Sequence, residues 1–212
     1  MGRFDDRATQ PARGPADIMA WKLGRKRDPR PADFQSLDAV RPVVVDGGAE
    51  ALAKPEACAV WIGHATYALR LGGKLLVTDP IWSRSISGAV RRLSPPGIEL
   101  AAMPAVDLVL VTHDHRDHMD LPTLAKLPAD ALYVTGTGNG ARLTKLGKAN
   151  VVELDWWESH RVGELELTFV PARHWSMRMP WNRNDALWGG FVIRGPEGVA
   201  YHSGDTGFFD GF

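Results

Sequence analysis

The chain contains one cysteine, Cys58, in 212 residues, so no disulfide can form within it. A single thiol in a strand-like segment reads as a small buried hydrophobe rather than a nucleophile. There is no basic excess either: 25 Lys and Arg stand against 25 Asp and Glu. That balance excludes a dedicated nucleic-acid binder, which carries a positive surplus. No apolar run approaches the length that spans a bilayer. Met1 to Arg7 lack the apolar core of a secretion signal. Gly2 is not followed by Ser or Thr at position 6, so the myristoylation pattern fails as well. A cytoplasmic location is the default expectation from these absences. No Ser or Cys sits in a convincing catalytic triad.

Residues 1–50 show no sustained hydrophobic period and are rich in Pro, Arg, Asp and Gly. They are expected to form an extended N-terminal arm before a single domain over residues 51–212. The basic cluster Lys22, Arg25, Lys26, Arg27 and Arg30, beside Met19 and Trp21, reads as a solvated face. Peripheral contact with an anionic membrane at its inner face is the alternative.

From Ala57 onward the pattern changes. Ala59–Ile62, Thr66–Leu69 and Leu75–Asp79 predict strands, the last two joined by the Gly72-Gly73 turn. A long loop is expected over Ser83–Pro104, then a strand at Val106–Val111 and a short helix over Pro122–Leu127. Strands at Ala131–Thr135, Val151–Leu154, Glu164–Val170, Leu187–Ile193 and Val199–Ser203 follow, with a helix over Gly140–Leu146. Strands dominate and helices are short, which predicts a layered α/β sandwich.

What the chain does have is a concentration of metal-binding side chains. Residues 112–118 read Thr-His-Asp-His-Arg-Asp-His, directly after an apolar strand. His113 and His115 are two apart, so both can point the same way from extended backbone. Asp117 and His118 can turn toward a neighbouring position, so one loop can hold two adjacent cations. Three imidazoles and a carboxylate suit zinc best, with iron or manganese as alternatives. Two metals need donors from elsewhere, and rigid strand ends place them well. His174 follows a predicted strand. Asp205 follows another, inside Ser-Gly-Asp-Thr-Gly, and a carboxylate there can bridge two cations. Asp79, before Pro80, is a candidate acceptor for a ligand imidazole. His64 is placed to line the pocket. His160 and His202 read as structural.

His113-x-His115-x-Asp117-His118 resembles the metal motif of the metallo-β-lactamase superfamily. Further segments look like its N-acyl-phosphatidylethanolamine-hydrolysing phospholipase D branch: Trp61-Ile62-Gly63-His64-Ala65-Thr66, Thr78-Asp79-Pro80-Ile81-Trp82 and Glu153-Leu154-Asp155-Trp156-Trp157-Glu158. Pro171-Ala172-Arg173-His174-Trp175, Leu187-Trp188-Gly189-Gly190 and Gly204-Asp205-Thr206-Gly207 complete the set, in order. The resemblance covers Trp61 to Gly207, the N-terminal two-thirds of a family member, so the family's αββα sandwich is expected to be incomplete at the C-terminus. It implies a first metal on His113, His115 and His174, and a second on Asp117 and His118, with Asp205 bridging. The family adds one more histidine from a later strand, beyond Phe212. A homodimer is implied for the full-length form.

Two such cations would share a water, lower its pKa and make it a nucleophile for a phosphodiester. Asp117 is chiefly a ligand in this reading, with proton transfer as a second role. The implied substrate is a phospholipid or small phosphodiester. Trp175 and Trp181, in the aromatic stretch Trp175–Trp188, are candidate walls for an acyl chain, and Arg173, Arg178 and Arg183 candidate phosphate contacts. Three alternatives remain: a lactone, thioester or small-ester hydrolase, a non-catalytic metal-binding protein, and a nucleotide-binding module. The last rests on Gly136-Thr137-Gly138-Asn139-Gly140 after a strand, with Glu153 and Asp155 as ribose acceptors.

Overall fold

The computed structural model describes residues 2–8, 42–86 and 90–211, together with residues 16, 19, 20, 23 and 36. Two sheets stack face to face. The first has six strands: β1 (Cys58–Gly63), β2 (Thr66–Leu71), β3 (Lys74–Thr78), β6 (Leu108–Val111), β7 (Leu132–Gly136) and β8 (Asn150–Leu154), adjacent in that order. β1, β2 and β3 pair antiparallel, and β3, β6, β7 and β8 run parallel. The second sheet is antiparallel, in the order β12 (Gly198–His202), β11 (Gly190–Gly195), β10 (Leu165–Val170) and β9 (Ser159–Val162). β4 (Ser85–Ile86) and β5 (Val90–Arg91) form a small separate hairpin.

Side-chain alternation builds the layers. In β6, Leu108 and Leu110 point between the sheets and Val109 and Val111 point the other way. The inner core joins Leu76, Leu108, Leu110 and Val134 to Leu165, Leu167, Phe169, Phe191 and Ile193. The outer core packs Leu75, Val77, Val109, Val111 and Tyr133 against three short helices: α1 (Gly48–Ala53), α2 (Leu121–Lys126) and α3 (Gly140–Lys145). Burial on both faces is why β6 reads as a continuous apolar run. The predicted layered α/β sandwich is therefore the observed architecture.

Local signals explain the connections. Gly72 and Gly73 both take positive φ, 54° and 68°, as a tight two-residue hairpin turn requires. α2 is started by Asp120, whose carboxylate accepts from Thr123 N, with Pro122 in the first turn.

Several expectations shift. The long loop over Ser83–Pro104 contains the β4–β5 hairpin and a turn of 3-10 helix at Leu100–Ala102. α1 and β9 carry too little periodic apolar signal to be read from sequence, and they take their form from packing and pairing. β11 starts at Gly190, because Leu187 to Gly189 bond instead to the loops after β6 and β7: Leu187 N to Thr137 O and Gly189 N to Thr112 O.

The described residues at the start of the chain pack onto the domain. Phe4 is buried in the inner core, Phe4 N donates to Asn184 O at 2.8 Å, and Arg7 pairs with Asp155. The basic cluster Lys22, Arg25, Lys26, Arg27 and Arg30 lies outside the described residues. Among the described residues no helix is long and apolar enough to cross a membrane.

Candidate metal centre

The candidate ligands all lie just past strand ends: Asp79 after β3, residues 113–118 after β6, His174 after β10 and Asp205 after β12. β3 and β6 are parallel neighbours, and ends of parallel strands are where open α/β sheets place ligands, while β10 and β12 bring theirs from the antiparallel sheet. They converge into two groups.

In the first group His113 Nε2 stands 2.8 Å from His115 Nδ1, and His174 Nε2 stands 3.1 Å from the same atom. Asp205 Oδ2 lies 3.9 Å from His174 Nε2. In the second group His118 Nε2 lies 3.8 Å from Asp117 Oδ2, which is 3.1 Å from His64 Nε2. The other oxygen of Asp205, Oδ1, is 3.2 Å from His118 Nε2. One carboxylate therefore reaches both groups, one oxygen to each.

The surroundings aim these atoms. Asp79 is fully buried and takes the uncommon φ of 38° at its strand end. Its carboxylate accepts from Thr112 N at 2.7 Å and Thr112 Oγ1 at 2.7 Å. The Thr112 hydroxyl has spent its proton there, so it accepts from His113 Nδ1 at 2.9 Å. That leaves the His113 Nε2 lone pair free toward the centre. Asp79 Oδ2 also takes His118 Nδ1 at 2.8 Å and His202 Nε2 at 3.0 Å. One buried carboxylate thus orients an imidazole of each group. Thr112 and His202 were not singled out by sequence. His202, read as structural, faces the centre's supporting carboxylate because alternation on β12 turns it inward beside Ala200. His160 lies on β9, opposite Leu167 of β10.

Electrostatics separate the groups. Burial, then the neighbouring imidazoles, holds His113 well below its ordinary value. Burial also lowers His115 and His174 to about 4 each. These imidazoles are neutral donors at neutral pH. Burial pushes His118 the same way, but Asp79 and Asp205 outweigh it and raise His118 to about 10. Asp117 is buried, which works to raise it, yet the His64 hydrogen bond and the His118 charge lower it to about 2. Asp205 is lowered, first by its contact with His118.

The donors fit a pair of divalent cations. His118 Nε2 is buried without a well-aligned hydrogen bond, and the imidazoles of His113 and His174 both crowd within hydrogen-bond distance of His115 Nδ1. A cation relieves both the unpaired nitrogen and the crowding, and nitrogen-rich sets with carboxylates suit zinc.

Asp114, between the first two ligands, points inward instead. Its side chain is fully buried, neither oxygen has a hydrogen bond, and Arg142 Nη2 is 3.3 Å away. Arg178 Nη1 donates to Asp114 O at 3.2 Å and to Met119 O at 2.7 Å. Arg178 is therefore a brace between the loop carrying His174 and the loop after β6, not a phosphate contact.

Trp175 packs edge-on to His115, ring centroids 4.4 Å apart, and Arg183 stacks over Trp175 at 4.7 Å. Trp181 is exposed. Trp188 is fully buried and donates to Ala172 O, so it belongs to the core rather than a substrate wall. Arg173 Nη1 donates to Phe208 O at 3.0 Å. The nucleotide reading fails on geometry. Glu153 Oε1 accepts from Gly138 N at 2.7 Å and Gly140 N at 2.6 Å, so a carboxylate already fills the place of a phosphate. Asp155 is held by Arg7.

Residues 75–211 match the family model described as beta-lactamase superfamily domain. An uncharacterised protein of Mycobacterium tuberculosis is 38% identical over 92% of this chain and 53% of its own length. N-acyl-phosphatidylethanolamine-hydrolyzing phospholipase D 1 of Caenorhabditis elegans is 30% identical over 85% of this chain and 55% of its own. The chain thus spans about half the length of these curated relatives. Among solved structures, a possible metal-dependent hydrolase from Veillonella parvula aligns with a TM-score of 0.60, at 18% identity, over 74% of this chain and 65% of its own. That likeness supports the fold.

Proposed function

The chain belongs to the metallo-β-lactamase superfamily, and on that premise we propose that it is a metal-dependent hydrolase acting on phosphodiesters of the N-acyl-phosphatidylethanolamine type. The observation that carries this reading is Asp205, whose two oxygens reach separate ligand groups, 3.2 Å from His118 and 3.9 Å from His174. His113, His115 and His174 would hold one zinc ion, and Asp117 and His118 the other, with Asp205 between them. When bound, the pair supplies Lewis acidity and an activated water.

The chain's own residues do the rest. Asp79 and Thr112 fix the rings of His113 and His118 so that Nε2 faces inward. Trp175, with Arg183 over it, covers the side of the first group and limits water there. The Arg183 guanidinium is placed to meet an anionic substrate. The resemblance to the Caenorhabditis elegans phospholipase supports a phospholipid substrate.

The test is turnover of N-acyl-phosphatidylethanolamine and a generic phosphodiester by the zinc-loaded chain and by His115→Ala. The reading expects phosphodiester cleavage that falls by more than about a hundredfold in the variant, beyond the usual cost of losing an outer partner. Turnover of lactones or thioesters alone would move the substrate to another member class. Metal binding without any hydrolysis would make the chain a binding protein.

A further inference from the structure

A cavity of about 400 Å³ opens beside the second ligand group, with His64 and Asp117 among its lining. Its volume falls in the range of small-molecule sites. The walls come from two places. Trp61 and Ile81 lie at the ends of β1 and β3, while Ile86, Val90 and Leu93 come from the β4–β5 hairpin and the residues after it. The hairpin is pinned down by Arg92, which donates to the carbonyls of Ile81 and Ser83. Gly63 permits this close approach, since a Cβ there would lie 2.8 Å from Arg92 Nη1.

Three of the lining apolar side chains are left facing water: Trp61 is 45% exposed, Val90 60% and Leu93 63%. Apolar groups gathered around a concavity next to a chemical centre mark a ligand site more often than scattered ones do. The polar part of the lining is His64 and Asp117 of the second ligand group together with Ser83, Ser85, Ser94, Arg91 and Arg92. A ligand that matches carries an apolar group for Trp61, Val90 and Leu93 and an anionic group for the adjoining centre.

We propose that this cavity binds the alkyl chain of an amphiphilic phosphodiester whose phosphate lies over His64 and Asp117. The inference rests on the phosphodiesterase reading and deepens it. It places the chain on the side of the second ligand group, opposite in role to the Trp175 wall of the first. The hairpin is then a specificity element, and Arg92 positions it through the carbonyls of Ile81 and Ser83.

The first arm of the test measures kcat/KM for p-nitrophenyl phosphodiesters with short and long alkyl groups. In the wild-type chain the long-to-short ratio rises above one, and in Leu93→Glu and Val90→Glu it falls about tenfold. Both positions are more than half exposed, so the fold tolerates the charge. A ratio unchanged in both variants, or one abolished instead by Trp181→Ala, overturns the proposal. The second arm needs no turnover. A brominated alkyl phosphonate quenches tryptophan fluorescence in the wild-type chain, and Trp61→Phe removes part of that quenching. Quenching identical in both proteins overturns the cavity assignment. If no phosphodiester is cleaved, the functional reading fails, and this arm still decides the cavity.

Discussion

The two ligand groups share one carboxylate and one fold, yet they are prepared for a cation in opposite ways. The first gathers three imidazoles that burial keeps deprotonated, with His115 and His174 lowered to about 4. The second centres on an imidazole raised to about 10 by Asp79 and Asp205. The first group is thus a set of free lone pairs before any ion arrives. The second is stabilised by a proton that an ion must displace. Identical residue types within one loop acquire different roles because Asp79 lies against His118 and only indirectly, through Thr112, against His113.

The largest expected effect comes from the buried carboxylate inside the loop that carries His113 and His115. Asp114→Ala leaves Arg142 and Arg178 facing a buried space without their carboxylate. Global stability should fall by about 3 kcal/mol, read as a lower urea midpoint. A loss under about 0.5 kcal/mol would mean that the buried Asp114 carboxylate is not what offsets the charge of Arg142.

Next comes Asp79→Asn, which weakens the orientation of both inward imidazoles. Affinity should drop by about 10- to 100-fold, and more for the second ion than the first, in a calorimetric zinc titration. Equal losses at the two sites would erase the difference between the groups.

The pH dependence sharpens the contrast further. Below about 10 His118 carries a proton in the ion-free chain, so affinity for the second ion should fall about tenfold per pH unit of acidification. His115 and His174 are deprotonated above about 4, so affinity for the first ion should stay nearly flat above that value. Parallel slopes would contradict the assignment of the proton to His118.

The smallest effect is expected from His64→Ala, which removes one partly exposed hydrogen bond to Asp117. The cost to the second ion should be about 1 kcal/mol, with the first ion unaffected.

Much of this was legible in the sequence. The apolar run before His113 announced a strand, and the spacing of His113, His115, Asp117 and His118 announced two adjacent donor sets. His174 and Asp205 were findable because each follows a strand and lies beside turn-forming or motif residues. What escaped was whatever depends on which face a residue meets. His202 could not be distinguished from a packed histidine until pairing of β12 with β11 turned it toward Asp79. Thr112 looked like an ordinary strand-end residue. Arg178 and Trp188 were chemically suited to substrate contact, but packing turned both inward. Phe4 lay in a stretch with no period, since a single anchoring side chain produces none.

The most direct test of two distinct cation sites is the zinc content of the purified chain, His115→Ala and His118→Ala, by mass spectrometry after equilibration with excess zinc and removal of the free ion. Two ions per wild-type chain and one in each variant are expected, with His115→Ala losing the ion whose affinity is insensitive to pH and His118→Ala the other. A wild-type chain holding a single ion, or variants that both retain two, would contradict it.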